Sequence, residues 1–180
     1  MEKSTKSLVL WPKNKECVEV KNKDGMQFIK NALLYVDANK GYEWGGEDPS
    51  GADCSGTVCG PLMMMGWKIR GTADDLYKKI FTNNVMDNKK FSERPMAVFY
   101  VSDIPWTKLS GKKMPAGTVR HVTPVVGYNV VLHADYTEDH IRLYDVDAIK
   151  EKYHKDNCSV VWREVDWDAV KRYDGRLYYV

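Results

Sequence analysis

Three side chains in this sequence have the types and spacing for covalent chemistry at a carbonyl: Cys54, His121 and His133. A cysteine attacks as its thiolate, and its pKa falls beside an imidazole or at the amino end of a helix. Cys54 stands at the head of an apolar run, Cys54 to Met65, that reads as a helix, within the stretch GYEWGGEDPSGADCSG. Gly45 and Gly46 let the chain turn tightly there and pass close to a bound molecule without side-chain bulk. The two histidines lie in HVTPVVGYNVVLH, twelve residues apart, an even separation. With a three-residue turn centred on Gly127 they fall directly opposite each other on one face of a hairpin, Cβ atoms about 5 Å apart. One ring then serves as base and the other orients it, completing a nucleophile, a base and an orienting group. Pro124 opposes this pairing, because proline inside a strand marks an edge or a bulge, and a bulge changes the parity.

The elements that must position these groups follow from periodicity. Gly25 to Lys40 carries Ile29, Ala32, Leu33 and Val36 at helical spacing, and Gly41 ends that run. In Cys54 to Met65, Pro61 removes one backbone bond and predicts a kink or a shortened helix. Thr72 followed by Asp75 is a capping-box start for a third helix, TADDLYKKIF. From Arg94 onward the texture changes to short Val, Tyr and Ile-rich runs: PMAVFYV, RHVTPVV, NVVLHAD, HIRLYDV, CSVVW and RLYYV. Helices followed by strands predict an α+β domain, helices packed on a central antiparallel β-sheet. Asp103 to Thr118 is a Pro, Gly and Lys-rich connection long enough to form a rim over a cleft.

Several blocks resemble, in order, those of the NlpC/P60 family of cell-wall cysteine peptidases: YEWGG (Tyr42–Gly46), DCSG (Asp53–Gly56), GTADDLY (Gly71–Tyr77), RHV (Arg120–Val122) and LHAD (Leu132–Asp135). The resemblance covers about Gly25 to Asp135, most of the chain. It implies a papain-like fold and hydrolysis of peptide bonds in the stem peptides of bacterial peptidoglycan, often the bond between γ-D-glutamate and a diamino acid. It further implies Cys54 as nucleophile, His121 as base and His133 as the orienting group. Substrate contacts are implied for Tyr42, Trp44, Asp53 and Ser55, the last two toward the free amino end of a stem peptide. No cofactor and no metal is called for. Three positions depart from the family pattern: HVTP stands where HVG is usual, Thr57 replaces a bulky apolar residue, and Gly71 occupies the place of an Arg.

Blander roles are assigned elsewhere. Cys59 lies about 140° round a helix from Cys54 and reads as packing. His140 and His154 read as surface residues, Met63 to Met65 as adaptable core, and Trp162 and Trp167 as packing for the last strands, with a sugar-stacking platform as the alternative. Two rival readings keep the fold without the chemistry: a zinc-binding module built on Cys54, His121 and His133, which lacks an evident fourth ligand, and a wall-binding protein with an idle site.

Composition bounds the rest. The 180 residues, 43% hydrophobic, are enough for one domain, residues 1–180, with a continuous core. Net charge is +2 from 27 basic and 25 acidic residues mixed along the chain, which speaks against a nucleic-acid surface and leaves an anionic polymer as a fitting partner. The four cysteines, Cys17, Cys54, Cys59 and Cys158, match no paired zinc spacing and read as thiols. No apolar stretch approaches a membrane span, and Leu8 to Leu10 is too short for a signal peptide. The expectation is a monomer, cytoplasmic as written, that meets peptidoglycan or muropeptides after export or lysis, or a mature form without its leader.

Overall fold

The structure of the protein, a computed structural model, describes residues 23–38, 41–86, 90–155 and 157–178, the side chain of His154 excepted. Cys17 and the Leu8 to Leu10 run lie outside the described residues. The first helix forms where its apolar stripe predicts it. Helix α1 spans Gly25–Asp37 and is capped by Asp24, whose carboxylate accepts the Met26 N–H at 2.9 Å. Its buried side, Phe28, Ile29, Ala32 and Tyr35, faces the core. A hairpin of β1 (Glu47–Asp48) and β2 (Gly51–Ala52) follows, and then α2, Gly56–Met64, with Ser55 as N-cap. The helix therefore begins two residues after Cys54, which occupies the preceding turn. Pro61 neither breaks nor ends α2, and its carbonyl accepts a bond from Asn31 of α1 at 3.2 Å.

Gly46 has a different task from the one its sequence suggests. A Cβ there would lie 2.3 Å from the Gly51 carbonyl oxygen, and one on Gly56 would lie 1.9 Å from the Gly46 carbonyl oxygen. These glycines let the β1–β2 hairpin and the head of α2 touch backbone to backbone; the close approach is to the chain itself. Gly45, at φ 77°, supplies the turn.

The predicted capping box is complete. Thr72 Oγ1 accepts the Asp75 N–H and Asp75 Oδ2 accepts the Thr72 N–H, both at 3.2 Å. They open α3 (Ala73–Asp75), which passes directly into a π-helical turn, Leu76–Ile80. Beyond it come β3 (Asn83–Asn84), β4 (Met96–Ser102), a small hairpin of β5 (Trp106–Thr107) and β6 (Lys113–Met114), then β7 (Val119–Gly127), β8 (Val130–Asp135), β9 (His140–Asp145) and β10 (Cys158–Glu164). The antiparallel central sheet is six-stranded, in the order β3-β10-β4-β7-β8-β9. The α+β expectation holds, with both sheet faces covered. Along β4 the side chains alternate: Ala97 and Phe99 join a core with α2 and the π turn, while Met96, Val98 and Tyr100 face the other side.

The last third departs from its reading as sheet completion. Val146–Lys155 is a helix, α4, and Trp167–Tyr173 is another, α5, capped by Asp166. Val146, Ile149 and Tyr153 in α4 follow the i, i+3, i+7 rule, but a setting rich in Val and Tyr hides that period. RLYYV forms no strand among its described residues, 176–178; Leu177 is buried against α2 and accepts the Arg70 N–H at 2.6 Å.

Candidate active site

Cys54 is held by a polar network centred on Asp53 and Arg70. Asp53 Oδ1 accepts the Gly56 N–H at 2.6 Å and the Ser55 hydroxyl at 2.8 Å, so this carboxylate caps α2 in place of Ser55. Asp53 Oδ2 accepts the Gly45 N–H at 2.9 Å and pairs with Arg70 Nη2 at 3.1 Å. Arg70 also reaches Ser55 Oγ at 2.8 Å and Glu47 at 3.0 Å, which makes it a buried guanidinium with its donors matched. Thr57 donates its hydroxyl to the Cys54 carbonyl at 2.8 Å, a role the usual apolar residue at that position lacks. Arg70 and Glu47 are members of this network that the sequence reading missed. The signal was the Arg absent from position 71: it stands one residue earlier and still reaches the site.

The two histidines meet on β7 and β8, by a route other than the expected turn. Tyr128 and Asn129 form a two-residue turn closed by Gly127 opposite Val130, which alone would send His121 and His133 to opposite faces. A bulge between Val125 and Gly127 sets Val125 against Val131 and restores the parity. The rings then meet edge to face, with centroids 4.8 Å apart at 89°. Pro124 lies in an interior strand, opposite Ala97 of β4, and the β7–β8 ladder runs no further than Val125. A proline has no N–H to extend it, so the ribbon opens where the histidines sit.

Aromatic contacts rather than hydrogen bonds hold this imidazole pair. Tyr153 of α4 stacks on His121 with centroids 5.1 Å apart at 7°, and Tyr100 lies 5.5 Å away. His133 packs edge-on against Tyr144 at 5.3 Å, with its Nδ1 3.8 Å from Asp135 Oδ2. Among the described residues the Nε2 atoms of both histidines and His133 Nδ1 are buried with no hydrogen-bond partner, and the buried hydroxyls of Tyr100 and Thr123 have at most each other. His140, expected at the surface, is instead buried and stacked on Tyr144. Cys59 is buried in the core, as its helical position implies.

Cys54 and His121 open on one cleft of about 240 Å³. Tyr42, Trp44, Asp53 and Ser55 line it with them, and so do Trp106, Lys108 and Leu109 from the β5–β6 hairpin, the predicted rim. Trp44 is 65% exposed, and Tyr42 sits edge-on to Tyr136 at 5.5 Å. Of the seven residues singled out in the sequence, six line this cleft, while His133 stands behind His121.

Burial decides the protonation of the site. Desolvation, then the neighbouring Asp53 carboxylate, pushes the Cys54 thiol up to about 12, against the pull of the Val122 and Ser55 backbone amides. A lowered pKa was expected from the helix terminus. The reversal arises first because the sulfur is desolvated, and then because Asp53 occupies the cap and places a negative charge beside it. Desolvation, then its neighbour His133, holds His121 well below the usual imidazole range; His133 is lowered by burial to about 4, against the opposing Asp135 charge. Burial would raise Asp135, but Lys152 at 2.9 Å and the Thr137 N–H at 2.8 Å hold it at about 2. At neutral pH the site thus rests as a neutral thiol and two neutral imidazoles. Among the described residues, no group of three His, Cys, Asp or Glu side chains converges as a metal site.

A thiol in the turn before a helix, an imidazole on an antiparallel sheet packed over it and a cleft between them define the papain-like class of cysteine peptidase folds. A profile of the NlpC/P60 family matches residues 39–163, and the chain belongs to that family. Among curated protein sequences none matches this one. Similar solved structures include the NlpC/p60 domain of the peptidoglycan hydrolase SagA, at TM-score 0.51 and 21% identity over 77% of this chain and 97% of that one. NlpC2 from Trichomonas vaginalis gives TM-score 0.51 and 19% identity, over 81% of this chain and 48% of its own. The peptidoglycan hydrolase RipB from Mycobacterium tuberculosis gives 0.50 and 18%, over 77% and 65%. At these identities the likeness is one of fold, and the last two are longer proteins of which this chain spans about half to two thirds.

Proposed function

We propose that the protein hydrolyses a peptide bond in peptidoglycan stem peptides, with Cys54 as nucleophile, His121 as base and His133 as the group that orients it. The carrying observation is that Cys54 and His121 line the same open cleft, in a family whose solved relatives include peptidoglycan hydrolases. Because thiol and imidazole both rest neutral, proton and bond move together: His121 takes the thiol proton as sulfur attacks the carbonyl carbon. The backbone N–H of Cys54, which donates to no acceptor among the described residues, faces the resulting oxyanion. Collapse breaks the C–N bond, and the His121 proton leaves with the amine. Water then attacks the thioester, giving its proton to His121, which returns it to the departing sulfur.

Tyr42, Trp44, Asp53 and Ser55 are proposed as the substrate-facing wall, where Asp53 and Ser55 meet the free amino end of the peptide. Action on the cell wall, after export or release, follows from this reading, and so does a monomeric chain. The test is incubation with defined muropeptides and mass measurement of the products. Cys54→Ala is expected to lower cleavage by on the order of 10⁴-fold or more with an unchanged melting temperature. Unaltered products from that variant would remove the thiol from the mechanism. Alkylation of Cys54 by iodoacetamide should still be rising at pH 9; a plateau reached below pH 7 would reveal a resting thiolate instead.

A further inference from the structure

We infer that Lys108 is a specificity-determining residue that binds a free carboxylate of the peptide, so that the protein selects carboxylated over amidated stem peptides. This rests on the hydrolase reading and names the substrate class of the same cleft. Three carboxylates line the cleft, and each has its own cation: Asp53 pairs with Arg70 at 3.1 Å, Asp74 with Lys78 at 2.7 Å and Asp135 with Lys152 at 2.9 Å. Lys108 lines the cleft half-buried, and among the described residues its ammonium has no acidic partner. An ammonium lining a cleft without a counter-charge of its own favours an anionic ligand.

The segment that carries Lys108 is built to hold it in place. Trp106 donates its indole N–H to Thr118 Oγ1 at 2.8 Å, and that hydroxyl donates to the Pro115 carbonyl at 2.7 Å. The Arg120 guanidinium lies over the Trp106 ring at 5.4 Å. Gly111, at φ 82°, closes the turn with its N–H on the Lys108 carbonyl at 2.8 Å. The hairpin is therefore a fixed rim that sets one ammonium on the cleft into which Cys54 and His121 open. A stem peptide offers two carboxylates near a γ-glutamyl bond: the α-carboxylate that a γ-linked glutamate leaves free, and that of the diamino acid on the amine side. The shared chemistry is carboxylate, and substrates amidated at one position or the other distinguish the two.

The experiment compares kcat/KM of wild type and Lys108→Ala on the free-acid peptide and on each singly amidated form. Binding of the same three peptides to Cys54→Ala and to Cys54→Ala/Lys108→Ala is measured in parallel. Wild type is expected to prefer the acid about tenfold over one amide, and the preference should fall to about one without Lys108. Lys108→Arg should retain most of it, and salt should weaken it. Equal handling of acid and both amides by wild type, or a preference that persists in Lys108→Ala, overturns the inference while leaving the hydrolase intact. If no peptide is cleaved but Cys54→Ala still discriminates acid from amide through Lys108, the carboxylate site stands and the hydrolase reading falls.

Discussion

The two walls of the cleft are built on opposite principles. On the thiol side polar atoms find partners: Asp53 accepts from Gly45, Ser55, Gly56 and Arg70, and Arg70 spreads its donors over Asp53, Glu47, Ser55 and Gly71. On the imidazole side, among the described residues, three buried ring nitrogens of His121 and His133 have none, the Tyr100 and Thr123 hydroxyls have at most each other, and flat rings do the holding. Hydrogen bonds fix position and charge together, whereas ring stacking fixes position alone, and burial keeps the unpartnered imidazoles neutral and ready to accept a proton. A base that must gain and lose a proton in each turnover suits the second kind of wall. A nucleophile that needs one fixed line of approach suits the first.

Removing the centre of the polar wall tests this contrast most severely. Arg70→Met leaves Asp53 and Glu47 facing each other with no cation, and is expected to destabilise the protein by about 3–5 kcal/mol in urea unfolding. Recovery of most of that loss in Arg70→Met/Asp53→Asn would assign it to the stranded carboxylate. A loss under 1 kcal/mol would show that the network is not the support of the thiol side.

Acid attacks the other wall. In the folded protein His133 titrates near 4, below the ordinary 6.5, and it is faced by Asp135, by Lys152 of α4, by His140 and by His121. Between those values the unfolded chain binds a proton that the folded one refuses. Stability is therefore complete above about pH 6.5 and falls as the pH drops toward 4, by on the order of 3 kcal/mol from His133 alone. His121, shifted the same way, adds to the fall. Asp135 makes a separate loss, from its usual 3.8 down to about 2. His133→Gln should flatten the first limb and keep the second; an unchanged pH–stability curve would mean that His133 titrates normally.

A smaller effect separates holding from chemistry on the imidazole side. Tyr153→Leu removes the ring stacked on His121 and is expected to lower kcat about tenfold with KM nearly constant, while Tyr153→Phe keeps the stack and most of the rate. Equal losses in both would move the role from the ring to the hydroxyl.

Most of the thiol side was legible in the sequence because its devices are local. A capping box, a tight glycine turn and a helix head are written within a few residues of one another, as in Thr72–Asp75 and Gly45–Gly56. Arg70 escaped notice because its meaning lies in partners of its side chain up to 24 residues away, Gly46 and Glu47 among them. The histidine pair was legible only as parity, and for the wrong reason: a turn one residue shorter and a bulge offset each other. Tyr153 was invisible, since nothing in VDAIKEKYHK says that its helix will fold back over a strand more than twenty residues earlier. Local chemistry is written locally, and the aromatic wall is made by topology.

The smallest prediction compares one substitution on both walls. Thr57 and Thr123 are each fully buried, but the Thr57 hydroxyl donates to the Cys54 carbonyl at 2.8 Å while that of Thr123 has, among the described residues, at most the Tyr100 hydroxyl beside it. Valine matches threonine in shape and deletes only the hydroxyl. Thr57→Val should lose about 1 kcal/mol, because the Cys54 carbonyl keeps its desolvation without its donor, and Thr123→Val should lose less, because no backbone group depends on its hydroxyl. Activity is expected to follow the same order, since only Thr57 touches the backbone that carries the sulfur. Equal losses at the two positions would show that the imidazole wall is hydrogen-bonded after all, and the contrast between a polar and an aromatic wall would fail at its most local point.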